Sequence, residues 1–373
     1  MFRTVRNLIV SIMAAFIRDR EARHKFRNKY KRKSKFRKLR DDNRILFDKI
    51  ERLLSEVQRL RAEQATLKQN YDKHLREWEW EKSLIFRVAP LDNSPPKGPV
   101  SNVFLAIVCI AKNEAPYLKE WIEYHKIVGV ERFYFYDNES DDNTKEVLEP
   151  YIKDGTVVYH LLPNHPITGQ RQQIEAYNDA IYKYRDRTRW LAIIDADEFI
   201  VPVEKDSIPE FLADYDQYPG VVANWICFDS NGHDRRPAAH GGLLTANYTR
   251  ARKDNNATWR ERLVKSIVNP KQIVNFISEH EGLYYHNIEA VTENFEKTRG
   301  DSTKYNSTSK IRINHYYTKS REEYLSKVTR NLKGAQTPYK FDENMLNFPE
   351  ETAEDLVIQK YVPHLKDVLG IKD

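Results

Sequence analysis

The sequence predicts an α/β fold: a mainly parallel sheet with helices on both faces, preceded by a long coiled-coil helix. Three observations predict it. From Val103 onward, short apolar runs of strand length alternate with segments of helical period. The apolar runs end in clusters of polar residues. Residues 43–80 instead repeat apolar positions every seven residues.

Size and charge divide the chain further. Its 373 residues include 22 Tyr, 16 Phe and 6 Trp, enough to bury one full-sized core. Residues 1–90 hold 25 Lys+Arg against 12 Asp+Glu, a net of +13, whereas residues 91–373 carry a net of −7. The basic character belongs to the N-terminal arm, and such arms bind anionic surfaces or nucleic acid. The apolar run Leu8 to Ile17, between arginines, points to an anionic membrane surface reached through residues 1–40 and to no nucleic acid. The run is too short to span a bilayer, which takes about 20 apolar residues. It lacks a small-residue cleavage site. The expected location is cytoplasmic, peripheral on the inner face of the cell membrane. Cys109 and Cys227 both lie in apolar runs, which suits free buried thiols in a reducing compartment. The Asn-x-Thr sequons at Asn247, Asn256 and Asn306 matter only in a secretory compartment.

Five segments follow from composition: an apolar and basic arm at 1–42, a coiled coil at 43–90, a linker at 91–100, a globular domain at 101–335 and a C-terminal helical segment at 336–373. In the heptad, Ile50, Val57, Gln64, Tyr71 and Trp78 form one series and Leu46, Leu53, Leu60 and Leu67 the other. β-Branched residues at one position with leucine at the other favour a parallel homodimer, here through residues 43–80. The linker holds three prolines and a glycine within ten residues.

In the globular domain the expected strands are Val103 to Ala111, Arg132 to Tyr136, Thr156 to Leu162 and Trp190 to Ile194. The helices between them are Ala115 to Val128, Thr144 to Lys153 and Gln170 to Arg185. In such sheets ligands bind beyond the carboxyl ends of the strands. Those ends carry Lys112-Asn113-Glu114, Asp137-Asn138-Glu139-Ser140 and Asp195-Ala196-Asp197-Glu198. Carboxylates crowded in this way repel one another unless a cation offsets them, and a divalent metal with a phosphorylated ligand does so. On a continuing strand Asp195 and Asp197 face the same side, which suits one ion. No Gly-x-Gly-x-x-Gly follows the first strand and no Gly-Lys-Ser/Thr loop occurs, so a metal rather than a glycine loop is expected to hold phosphate.

Ile107 to His125, Phe133 to Ser140, Asp195 to Phe199, Lys265 to Pro270 and Ile313 to Ser320 with Lys327 together resemble glycosyltransferase family 92, over roughly residues 103–335. That family is related to the inverting family 2. The resemblance implies a GT-A fold, a UDP-sugar donor (often UDP-galactose), a glycan acceptor and a divalent cation, Mn2+ or Mg2+. It implies that Asn113 and Glu114 line the nucleotide pocket and that Asp137 meets the base. Asp195 would touch ribose or metal, Asp197 would ligate the metal, and His315 would be a further ligand. The chain departs from family 2 in having no Glu-Asp pair after the metal motif.

The chemistry needs a cation to offset the leaving diphosphate and a general base for the acceptor hydroxyl. Candidates for the base are Asp229, at the end of a strand-like run, and then Glu279 and Glu281. Lys265, Lys319 and Lys327 can offset diphosphate charge, with Lys265 assigned to the donor. Gln170, Arg171 and Gln173 can reach the nucleotide, and Trp225 and Trp259 can stack on a sugar. The expected function is metal-dependent inverting transfer of a hexose, such as galactose, to a surface glycan such as a capsule or lipopolysaccharide chain. The rival readings are a membrane scaffold with a non-catalytic transferase-like domain and a metal-dependent nucleotidyltransferase.

Overall fold

The computed structural model describes residues 49, 52–66, 68, 102–163, 171–253, 259–332, 341–349 and 352–372. The basic arm, the linker, most of the heptad, Gln170 and Asn256 lie outside the described residues. The chain divides into two compact units, Met1–Glu81 and Lys82–Asp373. In the first, residues 52–66 are helical. Leu53, Val57 and Leu60 on that helix are exposed. Among the described residues no helix is long and apolar enough to cross a membrane.

The second unit opens with the expected alternation: β1 (Val103–Ala111), α1 (Ala115–Ile127), β2 (Arg132–Asp137), α2 (Thr144–Lys153), β3 (Val157–Leu161), α3 (Arg171–Tyr184) and β4 (Thr188–Ile193). β1 pairs in parallel with β2 and β4, and β2 with β3. Their carboxyl ends therefore share one edge. Alternate residues of each strand enter different cores. Leu105, Ile107 and Cys109 pack with Trp121, Phe133, Leu148 and Trp190, under α1 and α2. Ala106 and Val108 pack with Tyr134, Ala176, Tyr177 and Leu191, under α3. Trp121 and Trp190 are fully buried, and truncating such a residue to Ala costs about 3–5 kcal/mol.

The rest of the sheet is mixed. β5 (Glu198–Pro202), α4 (Ile208–Leu212), β6 (Gly220–Cys227), α5 (Leu244–Asn247), β7 (Arg250–Arg252), β8 (Val264–Val268), β9 (Ile273–Phe276) and β10 (Gly282–Tyr284) follow. After them come β11 (Ala290–Val291), β12 (Lys297–Thr298), β13 (Ile311–His315), α6 (Arg321–Leu332), α7 (Glu343–Leu346), β14 (Thr352–Glu354) and α8 (Val362–Leu369). The order across the sheet is β12-β11-β6-β8-β4-β1-β2-β3. β8 is antiparallel to both β4 and β6. β13 runs parallel to the end of β6 and antiparallel to β5. These pairings bring Lys265 and His315 to the edge where β4 ends.

Described parts of the segment at 336–373 join the rest of the second unit. β14 pairs with β7, and Val362 and Leu365 enter the main core. Periodicity shows that a segment is helical but not which core its apolar face serves.

Candidate active site

The acidic run does not continue β4. It forms the turn between β4 and β5, so Asp195 and Asp197 meet different partners instead of sharing one face. The Asp195 carboxylate accepts from Gln173 Nε2 at 2.6 Å, Tyr177 OH at 3.1 Å and Lys265 Nζ at 2.8 Å. Gln173 and Tyr177 are four residues apart on α3, one helical turn, so they approach the same oxygen. Asp197 accepts from Lys327 Nζ at 2.6 Å and faces His315 Nε2 at 3.8 Å. His315 is there because β13 lies antiparallel to β5, with His315 opposite Glu198. The backbone N–H of Tyr316 donates to Asp197 O at 2.9 Å and keeps the two segments in register.

Burial and charge compete at each group. Burial works to raise the Asp195 carboxyl, and Lys265 outweighs it, so it stays below the usual range. For Asp197 burial is again outweighed, by Lys327, His315 and Lys319. Glu198 goes the other way. Its burial, added to repulsion from Asp195 and Asp197, overcomes Lys265 and holds its carboxyl well above the usual range. Its Oε2 accepts the Asp195 N–H at 2.9 Å, while Oε1 is buried with no hydrogen-bond partner. Burial depresses the His315 imidazole to about 4, so it is neutral near pH 7 and can offer a lone pair. The His315 ring lies 4.3 Å from that of Trp225, which also touches His280 at 5.2 Å.

Residues of the first two strand ends lace the rim. Asn113 adopts left-handed backbone (φ 58), its N–H donates to Ser140 Oγ at 3.0 Å, and its side chain bonds Asp141. Glu114 pairs with Lys319 at 2.6 Å, and Lys319 is also left-handed (φ 54). Asp137 is occupied within its own loop: it accepts Ser140 N–H at 2.8 Å and Tyr159 OH at 2.7 Å.

The candidate bases separate. Asp229 does not face the crevice with a free carboxylate. Both its oxygens accept from Arg250 Nε, at 2.8 and 2.7 Å, and they also accept the N–H groups of Asn231 and Phe348. A carboxylate has about four acceptor positions, and these contacts fill them. Glu279 and Glu281 flank His280 in the turn between β9 and β10. His280 Nδ1 is hydrogen-bonded to Val264 O at 2.9 Å, and its contact with Trp225 brings that turn to the His315 side of the site. Trp259 is exposed, on a segment that runs beside residues 301–303. Of the sequons, the Asn247 side-chain nitrogen donates inward to Ala239 O and Leu243 O. That of Asn306 donates to Trp225 O and Glu261 O.

The structure thus unites Asp195, Asp197, Lys265 and His315 from the expected set, with Lys327 beside Asp197. Glu114 and Lys319 stand close enough to act on Lys327 and Asp197 through their charge. Tyr177 escaped sequence reasoning, and the only signal for it is its one-turn spacing from Gln173. Among the described residues no three His, Cys, Asp or Glu side chains form a group that could hold a metal ion.

Fold and site together define an α/β protein that concentrates compensated charge at the carboxyl ends of its parallel strands. The chain belongs to glycosyltransferase family 92, whose model matches residues 106–369. A family 92 protein of Oryza sativa subsp. japonica is 26% identical over 189 residues, 49% of this chain and 31% of that protein. Galactan beta-1,4-galactosyltransferase GALS3 of Arabidopsis thaliana is 31% identical over 129 residues, 32% of this chain and 26% of that protein. The chain therefore spans about a third or less of the length of these relatives. Among solved structures, S. aureus TarS in complex with UDP-GlcNAc is 14% identical, with TM-score 0.28 over 36% of this chain and 37% of that one. Mannosyltransferase PcManGT from Pyrobaculum calidifontis, in complex with GDP-Man and Mn2+, is 19% identical, with TM-score 0.25 over 40% of this chain and 44% of that one.

Proposed function

We propose that the chain transfers a hexose, such as galactose, from a UDP-sugar to a surface-glycan acceptor such as a capsule or lipopolysaccharide chain, with inversion and with Mn2+ or Mg2+. The observation that carries the reading is the Asp197, His315 and Lys327 constellation. The galactan galactosyltransferase relatives support galactose as the sugar.

The residues present fit the cation. Asp197 Oδ1 and the neutral His315 Nε2 are an oxygen and an imidazole nitrogen 3.8 Å apart. Mn2+ favours oxygen donors such as the Asp197 carboxylate, and the neutral imidazole is a softer further donor to it. With nucleotides, such ions take one or two protein carboxylates and leave their other positions to phosphate oxygens and water. Asp197 and His315 would hold the ion, which when bound offsets charge on the leaving diphosphate. Asp195, fixed by Lys265, Gln173 and Tyr177, is preorganised to accept from the donor's hydroxyls. Asn113, Glu114 and Lys319 line the nucleotide side, and Asp137 stiffens the loop beside them. The acceptor proton goes to Glu279 or Glu281, since Asp229 has its lone pairs engaged.

Asp197→Ala is expected to abolish transfer and Mn2+-dependent stabilisation by UDP in a thermal-shift assay while the chain stays folded. Full activity in that variant, or in excess chelator, would sink the metal assignment. Homodimerisation through residues 43–80 and attachment through residues 1–40 to the cytoplasmic membrane face belong to the same reading and rest on the heptad and the basic arm. Light scattering with and without residues 1–90 tests the dimer: an unchanged oligomeric state would refute it.

A further inference from the structure

Each of the three carboxylates lining the site faces one lysine. Lys319 lies 2.6 Å from Glu114, Lys265 2.8 Å from Asp195, and Lys327 2.6 Å from Asp197. The pairs are not equivalent. The Lys265 side chain is 1% exposed and has a second carboxylate, Glu198, at 3.6 Å. It is built into the core. The Lys327 side chain is 23% exposed. Its ammonium sits 3.8 Å over the Tyr317 ring and donates to Tyr317 O at 3.2 Å. It projects from α6, which is anchored by a small separate apolar cluster. Tyr324, Val328 and Leu346 form that cluster, with Tyr317, Phe341 and Met345 against it. A long flexible stem on such a helix can turn without disturbing the main core.

A charge conflict follows. Asp197 in this structure is neutralised by Lys327. A divalent cation on the same carboxylate would stand next to that ammonium, and like charges so close repel strongly in a partly buried site. A diphosphate relieves the conflict, because it supplies negative charge for the ammonium and oxygen ligands for the ion.

We propose that Lys327 is a displaceable counter-ion: it holds Asp197 in the ligand-free site and moves onto the donor's diphosphate, which frees Asp197 for the cation. The proposal rests on the donor reading above. It makes metal and nucleotide bind as a coupled pair, each strengthening the other by the same factor. Lys327 is then a diphosphate-binding residue as well as a guard on the metal carboxylate.

The test measures Mn2+ binding to the full chain by calorimetry, with and without saturating UDP, for wild type, Lys327→Met, Lys327→Gln and Lys327→Arg. In wild type, UDP is expected to tighten Mn2+ by about tenfold or more. Lys327→Met should bind Mn2+ alone more tightly than wild type and lose most of the UDP enhancement. Lys327→Arg should keep the wild-type pattern. Lys327→Gln, which can still donate to Asp197, gives the same reading if the Met variant does not fold. Folded neutral variants that bind Mn2+ alone no better than wild type, or that keep the full UDP enhancement, would overturn the proposal. Wild type that binds UDP neither with nor without Mn2+ would instead overturn the donor reading, and this proposal with it.

Discussion

Replacing Lys265 with Met tests whether the site depends on a buried cation for its stability. Lys265 is 1% exposed in its side chain and reaches Asp195 at 2.8 Å and Glu198 at 3.6 Å. Removing one partner of a buried pair costs about 3–5 kcal/mol. Two features put this case at the low end. Asp195 is 27% exposed and keeps its bonds from Gln173 and Tyr177. Glu198, whose carboxyl is held well above the usual range by burial and by repulsion from Asp195 and Asp197, depends less on a neighbouring cation than an ordinary carboxylate would. A loss of about 3 kcal/mol lowers Tm by about 6 °C in a domain of this size. The sign with pH is definite. The Asp195 carboxyl is lowered in the folded chain, so its stabilisation by Lys265 is present above the unfolded value of about 3.9 and is lost as the pH falls through the folded value below it. Calorimetric melts of both proteins should therefore show the widest Tm gap at and above neutral pH, narrowing as the pH falls toward the carboxylate range. A gap under about 2 °C at neutral pH would refute the reasoning.

Two further outcomes are expected. His125 is fully buried: Ile200 N–H donates to Nε2 at 3.2 Å, which leaves Nδ1 to donate to Trp121 O at 2.8 Å. Burial depresses it to about 3, so stability is full above the unfolded value of about 6.5 and declines as the pH falls toward 3, by about 1.4 kcal/mol per pH unit. In His125→Gln, urea midpoints should decline less steeply across that window, and an unchanged slope would count against the assignment. Among the bases, Glu279→Gln or Glu281→Gln should lower kcat by about a hundredfold or more with UDP binding intact. Asp229→Asn should lower Tm instead. Loss of kcat at unchanged Tm in Asp229→Asn would return the role to Asp229.

Much of the first half of the second unit was legible in the sequence. The strands at Val103–Ala111 and Arg132–Asp137 and the helix at Thr144–Lys153 fall within a residue or so of the expected bounds. Apolar alternation and helical period are local properties, visible within ten or so residues. The second half was less legible because its strands are short and pair out of order. β8 enters antiparallel between β4 and β6, and β13 joins β5 to the end of β6. Nothing in the period of Val264–Val268 says which neighbour it will take.

The candidate site divides in the same way. The sequence by itself determined that Asp195, Asp197 and Glu198 sit at a strand end, and the family blocks around Lys265, His315 and Lys327 marked those residues as relevant. Only the tertiary structure decided the partners: Lys265 with Asp195, Lys327 with Asp197 across 130 positions, and Asp229 drawn away by Arg250. Strand and helix follow from neighbours in the chain, through backbone sterics and side-chain period. Which cation meets which carboxylate follows from distance and burial, and those exist only once the sheet has brought distant segments to one edge.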